Sequence, residues 1–164
     1  MGDPVFTVQR HHASTLHFDL RLEVDGVLVS WAVPQGPSLD PAVRRLAVKV
    51  GDHDLDHATY EGVDPGARGP GTKIVWDTGT LTNLTRRGGA EVPLGRAVEA
   101  GHLKVALHGH RLTGAFALTR TGRPDDSGWL LVKVDDESAD RSRDVTEELT
   151  SVLSGRTNTD LEHD

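Results

Sequence analysis

Cysteine is absent from these 164 residues. This excludes disulfide staples and thiolate metal sites, leaving histidine and carboxylate as the available metal ligands. Aromatic residues make up only 4% of the chain, so a core must be built mainly from Val and Leu. The three tryptophans, Trp31, Trp76 and Trp129, sit among alternating apolar residues and read as core or barrel-rim residues rather than base-stacking platforms. No apolar run is long enough to span a bilayer, and no charged stretch followed by an apolar one opens the chain. The expectation is a cytoplasmic protein with no membrane partner. The Gly- and Pro-rich stretch from Asp64 to Gly71 lacks a following Gly-Lys-Ser/Thr, which excludes a phosphate loop and leaves a turn.

A surplus of positive charge is lacking too. The net charge is −7, yet residues 1–124 carry 14 basic and 13 acidic side chains while residues 125–164 carry 4 and 12. The acidity belongs to the C-terminal end, and the body is nearly neutral, with local basic pairs at Arg44/Arg45 and Arg86/Arg87. Such a body can contact a few phosphates but cannot coat a long duplex, so a strand end suits it better.

What the chain does contain is a series of short strands broken by Gly, Pro and Asp. Strands are expected at Val5–Arg10, Leu16–Val24, Val27–Val33, Leu46–Val50, Lys73–Asp77, Leu103–His108, Arg111–Thr119 and Trp129–Val134. Asp25-Gly26 signals a tight hairpin between the second and third. Alternating faces at this spacing predict a mainly β fold, a small closed or nearly closed β-barrel with one or two short helices. One helix is expected over Leu94–Ala100, with Gly101 as its C-cap. Residues 1–134 would form the barrel domain. After Val134 the text turns to D-D-E-S-A-D-R-S-R-D, too charged to bury a core, so residues 135–164 are expected to be a disordered acidic tail with a weak helix over Val145–Leu153.

The chemistry concentrates between Gln9 and Asp25. Leu16, Phe18, Leu20, Leu22 and Val24 take one face of a strand and His17, Asp19, Arg21 and Glu23 the other. His17 and Asp19 thus project together, and His11 can fold back as a third ligand. Two imidazoles and one carboxylate leave positions open for water and substrate, as a catalytic metal site requires. A wet strand face also carries His, Asp, Arg and Glu for solubility alone, and spacing by itself does not choose between the two.

The wider sequence does bear on that choice. V-Q-R-H-H-A-S-T-L-H-F-D-L-R-L-E-V-D-G-V-L-V-S-W-A-V-P, from Val8 to Pro34, resembles the 3′-phosphoesterase module of bacterial DNA ligase D and its stand-alone relatives. The resemblance continues through G-P-S-L-D-P, R-L-A-V, D-H-D-L-D, Y-E-G-V and G-T-K-I-V-W-D, and resumes at G-H-L-K, L-T-G-A-F-A-L-T-R and W-L-L-V-K. It implies a β-barrel core and a divalent metal, manganese by preference, held by His11, His17 and Asp19. Ligand chemistry alone also admits zinc, cobalt or iron. It further implies Arg21 and Arg45 near the scissile phosphate, His53 as a catalytic histidine and Gln9 beside the metal. The remaining histidines, His12, His102, His108, His110 and His163, match no such position.

Three departures stand out. Gln35 occupies the place of a phosphate-binding lysine, and His57 that of a tyrosine, so both are carried as substrate-binding candidates. The stretch before the first strand is also short of the family's Arg-Asp and Thr-Pro-Glu-Pro elements. The resemblance implies an enzyme that removes a 3′-terminal ribonucleotide or 3′-phosphate in DNA end joining, a monomer working with DNA 3′ ends and with a DNA ligase or Ku. The alternative is a weakly active or inactive metal-containing module that binds such ends.

Overall fold

The structure is a computed structural model and describes residues 2–64, 71–123 and 126–163. In chain order the strands are β1 (Val5–His12), β2 (Leu16–Val24), β3 (Val27–Val33), β4 (Arg45–His53), β5 (Gly62–Asp64), β6 (Gly71–Asn83), β7 (Arg86–Arg87), β8 (Ala90–Glu91), β9 (His102–His108), β10 (Thr113–Arg120) and β11 (Gly128–Lys133). Two short helices, α1 (Leu94–Ala100) and α2 (Asn158–Glu162), accompany them. Local chemistry accounts for the joints. Asp25 and Gly26 both take left-handed backbone, at φ 51° and 85°, the geometry of a two-residue hairpin turn. Gly101 closes α1 at φ 86°, its N–H donating to the carbonyls of Ala97 and Val98. The turn expected at Asp64 to Gly71 lies almost wholly outside the described residues.

Among the described residues eight antiparallel strands close a barrel in the order β1-β2-β3-β4-β11-β10-β9-β6, and β6 returns to β1. Closure depends on the length of β6, which runs well beyond the expected Lys73–Asp77. Its first part pairs with β1 from Thr72 to Thr80, and its end pairs with β9 from Thr80 to Asn83. The short β5 fills the remaining edge at Gly71–Lys73. Inside, Phe18, Leu20, Leu22 and Val24 of β2 join Phe6, Trp31, Val33, Trp76, Phe116 and Trp129 in one core. Each such side chain contributes roughly 1.5–3 kcal/mol on burial. All three tryptophans are at most 2% exposed, consistent with the core role expected from their setting.

The C-terminal segment departs from the expected disorder. Residues 135–163 run along the barrel and fill specific polar vacancies in it. The Trp76 indole donates to the Glu148 carbonyl, Arg111 donates to the Thr150 carbonyl and hydroxyl, and Val152 N–H donates to the Val75 carbonyl. Val145 is 1% exposed within the core. In place of the expected helix over Val145–Leu153 there is one 3₁₀ turn, Val145–Glu147. The true helix is α2, started by a capping box between Thr157 and Asp160. Composition misleads here because the segment needs little apolar surface of its own: backbone and short polar side chains satisfy groups that the barrel leaves open.

Candidate metal centre on the outer wall

Alternation along β2 sends Phe18, Leu20, Leu22 and Val24 inward and His17, Asp19 and Arg21 to the outer wall, while Leu16, expected on the inner face, is exposed at the strand's start. The β1–β2 register then sets Gln9 opposite Asp19 and His11 opposite His17, because residues paired across antiparallel strands share a face. His11 Nδ1 lies 3.1 Å from His17 Nε2 and 3.4 Å from Asp19 Oδ2, and His17 Nε2 lies 3.1 Å from Asp19 Oδ1. Donors held 2.0–2.2 Å from a single ion stand about 3 Å apart, so this spacing is that of a coordination shell. Two imidazole nitrogens facing each other at 3.1 Å need a shared proton or a shared cation. The cluster is compatible with a divalent metal. The side chains of His11, His17 and Asp19 are 12%, 24% and 7% exposed, so the centre is rooted in the wall and open on the His17 side.

Arg21 braces this centre. Only 2% exposed, it donates from Nε to Gln9 Oε1, from Nη1 to Ser30 Oγ and from Nη2 to Asp19 Oδ2. Burial pushes the Asp19 carboxyl up, but hydrogen bonds from His11 and His17, with the charges of His17 and Arg21, outweigh it and hold the group well below the usual carboxylate range. Gln9, expected beside the metal as a substrate contact, is 0% exposed and fully engaged. Its Nε2 donates to the carbonyls of His57 and Tyr60, so it ties Arg21 to the segment above.

That segment, the 3₁₀ helix Leu55–Thr59, roofs the wall over β1, β3 and β6. It lays the His57 ring against His53, centroids 4.5 Å apart, and against Tyr60 at 5.2 Å. Lys73 of β6, opposite His11 in register, brings its Nζ to 3.4 Å from His57 Nε2. Burial, then the charges of Arg21, Lys73 and His53, push the His57 pKa down to about 4. Burial and the same Arg21 and Lys73 charges lower that of His53. Both rings are therefore neutral at neutral pH, and a bound divalent cation would push them further the same way.

A prediction follows for His57. The unfolded chain takes up its proton near the ordinary histidine value of about 6.5, whereas the folded chain resists until about pH 4. Stability should therefore fall as pH drops through that window, and His57→Gln should flatten the fall. A titration followed through the His57 ring proton by NMR should show a midpoint well under 6; one near 6.5 would remove the argument.

Two expected site residues lie elsewhere. Arg45, at the start of β4, shares its strand face with Ala47 of the core. It borders an open cavity of about 300 Å³ with Ser38, Asp40 and Asp144. The structure does not bring it to the His-His-Asp cluster, because a single-residue offset along a strand changes the face. Gln35 is exposed in the turn after β3, at the end of the sheet where His17 lies. Conversely, sequence reasoning gave no role to Lys73, Ser30 or Tyr60. Lys73 and Ser30 do lie on alternating faces, but assigning them needs the β1–β6 and β2–β3 registers.

A closed antiparallel barrel with a His-His-Asp cluster on its outer wall, braced by a buried arginine and roofed by paired histidines, defines a small barrel with a candidate metal site. The chain belongs to the DNA ligase D 3′-phosphoesterase domain family, which matches residues 9–120. It is 50% identical over 159 residues to the multifunctional non-homologous end joining protein LigD of Pseudomonas aeruginosa, covering 93% of this chain and 18% of that protein. It is 44% identical over 117 residues to the multifunctional non-homologous end joining DNA repair protein LigD of Mycobacterium tuberculosis, covering 71% of this chain and 14% of that one. A LigD from Mycolicibacterium smegmatis is 37% identical over 140 residues. The chain thus spans less than a fifth of the length of these relatives. Among the described residues no helix is long and apolar enough to cross a membrane.

Proposed function

We propose that this chain is a divalent-metal-dependent phosphoesterase acting on DNA 3′ ends during end joining, removing a terminal ribonucleotide or a 3′-phosphate to leave a 3′-OH. The observation that carries this reading is the convergence of His11, His17 and Asp19 donor atoms in a chain of this family. Those three residues would hold the ion, with manganese the expected one and zinc or cobalt admitted by the same donors. When bound, it supplies charge on a phosphate oxygen and an acidified water. Arg21 holds Asp19 in place and adds fixed positive charge under the phosphate. His53, a neutral ring, offers an N–H to a phosphate or leaving oxygen and can deliver a proton only from its small protonated fraction. A DNA ligase or Ku is the partner this activity would need, with the chain acting as a monomer in the cytoplasm.

The test is turnover of an end-labelled primer-template with and without manganese. Binding without turnover would favour the second reading, an end-binding module, to which the neutral Gln35 and His57 lend support. Substrate preference gives a sharper prediction. A 3′-phosphate carries more charge near neutrality than a diester, its second pKa being about 6, and Gln35 leaves the nearby turn without a cation. Release of a 3′-ribonucleoside should outpace release of phosphate by about tenfold, and Gln35→Lys should narrow the gap. Equal rates in the unmodified chain, or no gain from the lysine, would remove Gln35 from the account.

A further inference from the structure

Beside the metal centre the outer wall changes character. Across the sheet, Asp19 is followed by Ala32 of β3, Val48 of β4 and Gly128 of β11, and Arg21 by Ser30 and Val50. Leu46 and Leu130 form the next pair along β4 and β11. β4 is a central strand, paired on both edges. Outward positions of such a strand in an antiparallel sheet are ordinarily polar when they face water. Here they read Leu46, Val48 and Val50, with Leu46 49% and Val50 36% exposed. The roof over β1 and β3 that buries Gln9 and Arg21 leaves Leu46 and Val50 open to solvent and Val48 half-buried between them. The strip between the cluster and the apolar residues is low, because Ala32 and Ser30 are small, and the row beyond it ends at Gly128.

Resting on the function proposed above, we infer that this shelf of Ala32, Leu46, Val48, Val50 and Leu130 seats the base and sugar of the 3′-terminal nucleotide. The argument is one of complementarity. The cluster and Arg21 present charge suited to a phosphate, and the shelf begins one strand away, with Val48 about 10 Å from Asp19 at ordinary strand spacing. A ligand that satisfies both must carry an anionic group and, within that reach, a flat apolar face. A terminal nucleoside attached to its phosphate has this form. The shelf offers no directed hydrogen-bond donors or acceptors from its side chains, so it would favour a base over its absence without choosing among bases.

The experiment compares two 3′ ends, one closing in a normal ribonucleotide and one closing in an abasic ribose, bound in manganese to the full chain and to Leu46→Thr/Val50→Thr. Threonine is β-branched and suits an exposed strand face at both positions, so the variant keeps its strand, and a melting curve verifies this. The unmodified chain should prefer the normal end about tenfold, equal to 1.4 kcal/mol, and the variant should prefer it less than about twofold. A second measurement needs no variant: 2-aminopurine as the terminal base should change its fluorescence on binding. An unmodified chain that does not discriminate, a variant that discriminates as well, or a terminal 2-aminopurine that stays as in free solution would each overturn the shelf. So would a variant that loses self-association while keeping the preference, since the face would then belong to a second copy of the chain. Failure to bind either end would instead overturn the end-processing reading, and the shelf with it.

Discussion

Asp19→Asn should abolish manganese binding and lower 3′-end processing by at least about a hundredfold, a loss larger than that usual for a mere supporting residue of a metal site. The variant should also be less stable without any metal. Asp19 carries the negative charge facing Arg21, at 3.3 Å, and the two side chains are 7% and 2% exposed. Removing one member of a buried pair and stranding the other costs about 3–5 kcal/mol. The pH dependence gives an independent check. The Asp19 carboxyl is held below its ordinary range, so its contribution is present above the unfolded pKa of about 3.9 and lost as pH falls through the lower folded value. The Asn variant should lack that part of the acid transition. Calorimetric titration with manganese, together with urea melts from pH 7 to about pH 2, measures both. A variant that binds the ion as well as the unmodified chain would remove Asp19 from the centre.

Much of this centre could be read from residues 9–25 because strand alternation is a local property. His17, Asp19 and Arg21 need only a period of two to share a face, and the hairpin at Asp25-Gly26 fixes β2 against β3. The barrel class was legible for the same reason. What lay out of reach depended on register between distant strands. Lys73 meets His11 only because β6 pairs with β1. Gln9, carried as a substrate-binding candidate, also ties Arg21 to the roof, and only because the 3₁₀ helix places two carbonyls over it. Arg45 shows the converse. Its motif position suggested the phosphate, yet parity along β4 puts it on the face of Ala47, and a one-residue difference in parity is invisible to a motif.

The C-terminal segment sets the other large expectation. Composition alone argues that cutting after Ser138 leaves the body intact; the contacts argue the opposite. The cut strips the Trp76 indole of the Glu148 carbonyl, Arg111 of three hydrogen bonds' worth of support reduced to one, and the core of Val145. It also removes Asn158, 2% exposed, whose amide donates to the carbonyls of Arg10 and Thr72 and whose oxygen accepts from Arg10. Each buried partner left unsatisfied costs about 1–3 kcal/mol, against a total stability of about 5–15 kcal/mol for a domain. The truncated chain should therefore melt at least about 10 °C lower. Metal affinity should drop with it, by about tenfold, because Arg10 and His12 flank His11, the proposed ligand, and both are tied to α2, His12 through Glu162. Asn158→Ala alone should reproduce part of the loss in affinity with a smaller loss in stability, separating the local tie from the global one. A truncated chain that melts within a few degrees of the full one, with its manganese affinity unchanged, would return the segment to the role its composition suggests.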